Sequence, residues 1–149
     1  MVDAPDATTL LADDGAIELQ NVTFSYGGGP GGLDSVNLSV APGEKLGLVG
    51  ASGAGKSTLV ALLLRLYDTE DGAVLIDGQD VKGVTQESLR RQIAMVTQET
   101  AMFNRSAHDN IRYGKPDATR AEVEAAATQA ESHEFIPVSY THLTLPTKA

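Results

Sequence analysis

Apolar and polar positions first alternate along this chain and then cluster. Ile17 and Leu19, followed by Val22, Phe24 and Tyr26, form two period-2 runs with a one-residue slip at Gln20-Asn21, the pattern of a half-buried strand carrying a bulge. Residues 27–32 (GGGPGG) read as a flexible turn. Val36, Leu38 and Val40 then alternate again until Pro42-Gly43 closes the run, so two antiparallel strands are expected. From Lys45 the pattern changes. Residues 45–49 (KLGLV) predict a short strand buried on both faces. A glycine-rich turn follows, and then an apolar helix over residues 57–67 whose 59–66 stripe is expected to be core. Asp71-Gly72 predicts a turn, with the acidic residues from Asp68 to Asp71 solvated. Residues 73–76 predict a strand, Thr85 a cap for a short helix through Gln92, and residues 93–96 another apolar strand. Ser106 with Asp109, and Thr119 with Glu122, match capping boxes. They introduce a helical turn ending near Gly114 and an alanine-rich helix reaching about His133.

Composition limits what such a chain can be. At 149 residues it has room for one domain or a piece of a larger one. The 42% hydrophobic and 21% charged content is that of a globular protein. With no cysteine, disulfide scaffolds, cysteine zinc sites and cysteine nucleophiles are excluded. A net charge of −9 argues against nucleic acid as a partner, because broad affinity for a phosphate backbone comes from Lys and Arg. It leaves room for a local anion site. No apolar run is long enough to span a bilayer, and residues 1–14, with four aspartates, lack the basic start of a signal peptide.

The sharpest chemical signal is Gly50-Ala-Ser-Gly-Ala-Gly55-Lys56-Ser57, followed by Thr58. It satisfies G-x-x-x-x-G-K-[ST] between a predicted strand and a predicted helix. Glycines allow the backbone to turn tightly and aim N–H groups at phosphate oxygens. The helix that follows presents its positive end to the same anion. Lys56 adds a charge for the β- and γ-phosphates, and the Ser57 hydroxyl is a ligand for Mg²⁺. Ser106 and Thr119 are better explained as caps, and His108 and His133 as surface histidines, than as catalytic groups. Asp80-Val-Lys-Gly83 matches D-x-x-G, but no N-K-x-D motif accompanies it, so a GTPase is the weaker alternative.

Taken in order, these segments resemble the nucleotide-binding domain of ATP-binding cassette (ABC) transporters of the exporter type, in which a membrane domain precedes the cassette. The resemblance covers about residues 15–136. Val22-Thr-Phe-Ser-Tyr26 resembles the strand ending in the adenine-stacking aromatic. Leu33-Asp-Ser-Val-Asn-Leu38 and Pro42-Gly-Glu44 resemble the approach to the phosphate loop, and Arg65-Leu-Tyr-Asp68 and Ile76-Asp-Gly78 the next landmarks. Leu89-Arg-Arg-Gln-Ile-Ala-Met-Val-Thr-Gln98 resembles the strand into the glutamine loop. Met102-Phe103, Asn110-Ile111, Tyr113-Gly114 and Ser132-His-Glu-Phe-Ile136 follow in family order.

The resemblance implies an α/β fold: a P-loop NTPase core with an antiparallel β-subdomain, here truncated. It implies ATP and Mg²⁺ as ligands. Tyr26, Gly50, Ser52, Gly53, Ala54, Gly55, Lys56, Ser57 and Thr58 would bind nucleotide, Ser57 and Gln98 would hold the metal, and Lys56 and Gln98 would serve the reaction. The implied partners are the transporter's transmembrane domain and a second nucleotide-binding domain, at the cytoplasmic face of the membrane. A stand-alone or importer-type ATPase subunit is the nearer alternative.

The family's signature motif, its Walker B aspartate with the following glutamate, and its switch histidine do not occur in the chain. The expected organisation is a linker from a membrane domain at residues 1–14, with Met1 an internal start, then the first part of the cassette at residues 15–137. Residues 138–149 are expected to be foreign: Val138-Ser-Tyr-Thr-His-Leu-Thr-Leu-Pro-Thr147 resembles one translated frame of a transposase-type sequencing adapter. A chain so composed is expected to be non-catalytic and aggregation-prone.

Overall fold

Alternation along β1 (Ile17–Phe24) buries Leu19 and then, after a slip in register, Val22 and Phe24. The structure, a computed structural model, describes residues 2–27, 32–97 and 102–132. Gln98, His133 and the tail at 138–149 lie outside the described residues. Residues Met1–Met95 form one compact unit and Val96–Ala149 another.

β1 is central in a four-stranded antiparallel sheet ordered β2-β1-β3-β4, with β2 at Leu33–Val40, β3 at Asp71–Ile76 and β4 at Gln79–Asp80. Its pairing with β2 shifts between Leu19 and Val22, and that with β3 between Gln20 and Thr23, so the expected bulge is present. Asn21 absorbs it at φ +48°, in the left-handed region that Asn enters more readily than most residues. The Asn37 side chain then pairs with Asn21 twice, accepting its backbone N–H and donating to its side-chain oxygen, each at 2.9 Å. On the other flank Gly72 lies so close to the Gln20 and Asn21 carbonyl oxygens that a Cβ there would collide with them. The bulge restores parity: without the extra residue, Val22 and Phe24 would face solvent. β3 therefore begins at Asp71, two residues earlier than the predicted strand, because Asp71 pairs with Thr23 and Gly72 lies opposite the bulge instead of the two forming a turn. Asp77 and Gly78, both at positive φ, close the β3–β4 hairpin between paired Ile76 and Gln79.

Helix α1 (Lys56–Leu63) lays Leu59 and Leu62 on the sheet, in one cluster with Leu19, Val22, Phe24, Val74 and Ile76. It ends in a Schellman motif: Leu66 N–H donates to the Ala61 carbonyl and Arg65 N–H to that of Leu62, with Arg65 at φ +47° in the position glycine usually takes. The stripe expected to be core divides at this point. Leu66 is 50% exposed, and Val60, Ala61 and Leu64 border an open groove with Leu48 and Met95. Residues 45–49 and 93–96 likewise depart from expectation. Neither segment is a strand, and Val49 and Val96 are fully exposed. A strand buried on both faces needs a ladder partner, and none exists for either segment among the described residues.

Residues 2–14 do not trail free of this unit. Leu10 is in the core, Thr8 forms a parallel bridge with Val84, and the Asp77 carboxylate accepts the backbone N–H groups of Asp14, Gly15 and Ala16 at 2.7–3.1 Å. These donors hold the Asp77 carboxyl below the usual carboxylate range. Helix α2 (Gln86–Gln92) is capped by Thr85, as expected, and buries Leu89.

In the second unit Ser106 caps α3 (Ala107–Ile111), followed by a 3₁₀ turn at Arg112–Gly114. Thr119 and Glu122 form the expected capping box of α4 (Arg120–Gln129), which buries Val123 and Ala127 and stops short of the predicted His133. The Asn110 side chain donates to the carbonyls of Phe103, Arg105 and Ser106 and accepts the Phe103 N–H, bringing two of the family landmarks into contact.

Candidate functional site

The loop between β2 and α1 is shaped by its glycines. Gly53 and Gly55 have φ of +83° and +80°, and a Cβ on Gly55 would lie 2.6 Å from Leu33 Cδ2 and 3.0 Å from the Gly32 carbonyl oxygen. Gly55 caps α1 with no side-chain hydrogen bond. The first N–H groups of a helix have no intrahelical acceptor, and Lys56 and Ser57, in the first turn of α1, line an open hollow of about 360 Å³. Its lining residues are Tyr26, Ser52, Gly53, Ala54, Gly55, Lys56, Ser57 and Thr58. They include one charge, the Lys56 ammonium, and no carboxylate, so the hollow suits an anion. Tyr26, just past the end of β1, and loop residues 52–58, some 26–32 positions further along the chain, meet there; the bulge sets Phe24, and with it Tyr26 two residues on, on the face that Leu19 buries.

Lys56 is already folded over the loop. Its Nζ donates to the Gly50 carbonyl at 2.8 Å and to that of Ala51 at 2.7 Å. An ammonium has three donors, so one remains for an anionic oxygen. Gly50 does not line the hollow; its part is this carbonyl and a close approach to Ala54, whose Cβ would lie 3.2 Å from a Cβ at position 50.

Tyr26 is 42% exposed, which leaves part of its ring surface available to a flat base. The Phe24 and Tyr67 rings lie perpendicular to it, with centroids 4.9 and 5.2 Å away. Tyr67 is marked in the sequence only by its place in the Arg65-Leu-Tyr-Asp68 landmark. The acidic turn at 68–71 is exposed, as expected, but its carboxylates are engaged: Asp68 pairs with Arg65, and Glu70 accepts from both N–H and hydroxyl of Ser25 at 3.1 and 2.8 Å. Asp80 of the D-x-x-G match does not reach the hollow. It sits in β4 and accepts the Lys82 N–H at 2.9 Å.

The G-x-x-x-x-G-K-[ST] sequence, its Gly53 and Gly55 at positive φ and a helix starting at Lys56 are the marks of a P-loop nucleotide-binding domain. The family model described as "ABC transporter" matches residues 33–144, and the chain belongs to that family. It is 51% identical over 92% of its length to an uncharacterized ABC transporter ATP-binding protein of Haemophilus influenzae. It is 48% identical over 90% of its length to the beta-(1→2)glucan export ATP-binding/permease protein NdvA of Bradyrhizobium diazoefficiens. To the human ATP-binding cassette sub-family B member 6 it is 51% identical, again over 90%. Among solved structures, a bacterial Atm1-family ABC exporter with ATP bound superposes with a TM-score of 0.85 at 42% identity over 90% of this chain. The chain spans only 22%, 22%, 16% and 23% of these four proteins, respectively. The expected fold, an ABC ATPase domain in truncated form, is therefore the one observed, and two of these four similar proteins are named as exporters.

Proposed function

We propose that this chain is the ATP-binding part of an exporter cassette, with the triphosphate in the 50–58 loop and the adenine on Tyr26. The observation that carries this reading is that one hollow joins the half-exposed Tyr26 to Lys56 and the glycine-shaped loop at residues 52–58. The loop donors and the α1 terminus would bind phosphate oxygens, with Lys56 supplying the charge. Mg²⁺ fits this chemistry: it keeps several waters and takes few protein oxygens beside those of phosphate, and the Ser57 hydroxyl lines the same hollow. The ion, when bound, neutralises charge on the phosphate oxygens. Gln98 is proposed as its second protein ligand and as the group that serves hydrolysis with Lys56.

In the whole protein, ATP binding and hydrolysis would drive export through a transmembrane domain, the cassette pairing with a second copy at the cytoplasmic face. The names of the relatives, an export permease and an exporter with ATP bound, support this direction. We assign residues 1–14 to the link with that membrane domain and residues 15–137 to the cassette; the family match runs on to residue 144, and residues 138–149 are assigned to foreign sequence on their likeness to adapter sequence alone. Hydrolysis also needs a Mg²⁺-holding aspartate and a group that positions water, and the chain carries neither motif. It should bind nucleotide without turnover.

Equilibrium binding of ATP to the chain and to Lys56→Ala tests the reading. Loss of a charge-assisted phosphate contact should weaken binding roughly ten-fold or more. Equal affinity in the two proteins would refute the site, and ATP turnover abolished by Lys56→Ala would refute the inactivity.

A further inference from the structure

We propose that Tyr67 is a positioning residue that sets the Tyr26 ring for base stacking; the proposal rests on the ATP reading above. Tyr26 lies two residues beyond the last residue of β1, and Gly27 follows at φ +62°, so no strand ladder fixes it. Its ring is held instead by other rings. Phe24, Tyr26 and Tyr67 form a closed triad with centroids 4.9, 5.2 and 5.3 Å apart, and Tyr26 meets both neighbours at nearly 90°. Edge-to-face contact is directional, because the positive edge of one ring meets the negative face of the other. Two perpendicular contacts therefore define the plane of Tyr26.

Core packing does not account for Tyr67, which is 43% exposed. Its placement comes from α1. The Schellman motif at Arg65 and Leu66 turns the chain sharply and delivers Tyr67 beside Tyr26. A second tie runs the same way: Glu70 accepts two hydrogen bonds from Ser25, and its own N–H donates to the Thr23 carbonyl at 2.9 Å. The helix that presents Lys56 and Ser57 to the phosphates at one end thus presents, just past its other end, the ring that orients the base platform. α1 and the turn that ends it connect the proposed base and phosphate subsites.

The test is equilibrium binding of ATP and of inorganic tripolyphosphate, each with Mg²⁺, to the chain and to Tyr67→Ala, Tyr67→Phe, Tyr26→Ala and the double Tyr26→Ala/Tyr67→Ala variant. Tyr67→Ala should weaken ATP binding about three- to ten-fold, the size of one aromatic pair, and leave tripolyphosphate within about two-fold. Tyr67→Phe should restore ATP affinity, and the double variant should bind ATP no more weakly than Tyr26→Ala alone. Unchanged ATP affinity in Tyr67→Ala, additive losses in the double variant, or equal loss of ATP and tripolyphosphate would each overturn the proposal. Tripolyphosphate also reports whether the phosphate loop is intact in each variant. If Lys56→Ala leaves the binding of both ligands unchanged, the ATP reading itself fails, and the role of Tyr67 falls with it.

Discussion

The guanidinium of Arg65 meets the carboxylate of Asp3 at 3.2 Å, across 62 residues of sequence. The same group donates to the Val84 carbonyl at 2.7 Å and to Asp68 at 3.2 Å, while Arg65 is 3% exposed. Arg90 faces the other way across this junction, donating to the Leu64 and Arg65 carbonyls at 3.2 and 3.0 Å. Two arginines thus tie the end of α1 to α2 and to the first residues of the chain.

Replacing Arg65 should expose how much this junction matters. Arg65→Ala removes three hydrogen-bonded contacts from a buried position and should lower the unfolding free energy by about 3 kcal/mol in urea titration. Asp3→Asn should cost less, because Asp3 is half-buried, an amide oxygen can still accept from Gln86, and Arg65 keeps Asp68 and Val84. A larger effect from Asp3→Asn would contradict this ranking.

Gly55→Ala should disable the loop more than its one added methyl suggests. The new Cβ would meet Leu33 at 2.6 Å in a backbone conformation with φ +80°, so the loop must move to relieve the clash. The strain should cost about 1–3 kcal/mol of stability. ATP binding should fall at least roughly ten-fold as the N–H groups lose alignment. Calorimetric binding that survives unchanged would show that the loop tolerates the shift.

Acid should act on the start of α4 through Glu122. This carboxylate accepts from Lys115 Nζ at 2.6 Å and from the Thr119 N–H and hydroxyl at 2.8 Å, and its pKa is lowered from 4.5 to about 2, chiefly by the Lys115 hydrogen bond. A depressed carboxylate pKa stabilises the folded state above the unfolded value. The contribution is therefore whole above about 4.5 and lost as pH falls toward about 2. NMR titration of the Glu122 carboxyl carbon should show this low midpoint, and Lys115→Ala should raise it. A midpoint near 4.5 in the unaltered chain would disprove the pairing.

The apolar segments at 45–49 and 93–96, which have no strand partner among the described residues, should make the chain associate with itself. Leu46, Leu48 and Val49 are exposed on one segment, and Met95 and Val96 on the other. Unpaired apolar backbone of this kind is a template for intermolecular strand pairing. Val49→Lys, at a position 98% exposed, should reduce association in sedimentation velocity with a stability change within about 0.5 kcal/mol. Unaltered association would point to a different sticky surface.

What the sequence determined by itself is local. The bulge at Gln20-Asn21 is legible because a one-residue slip changes the parity of a period-2 pattern, and Thr85, Ser106 and Thr119 because a cap acts on N–H groups two or three residues away. The phosphate loop is legible because its turn, its lysine and its helix start are contiguous. Tertiary structure decided whatever depends on distant partners. Residues 45–49 have the composition of a buried strand, but a strand exists only where another chain segment completes its hydrogen bonds. Leu66 has the side chain of a core residue and faces an open groove. Asp68, Glu70 and Tyr67 look like ordinary turn residues, and only the approach of Arg65, Ser25 and Tyr26 gives them partners. Hydrogen bonds and ring contacts reach a few ångströms, so which residues share them is set by how β1, the bulge and α1 bring remote parts of the chain together.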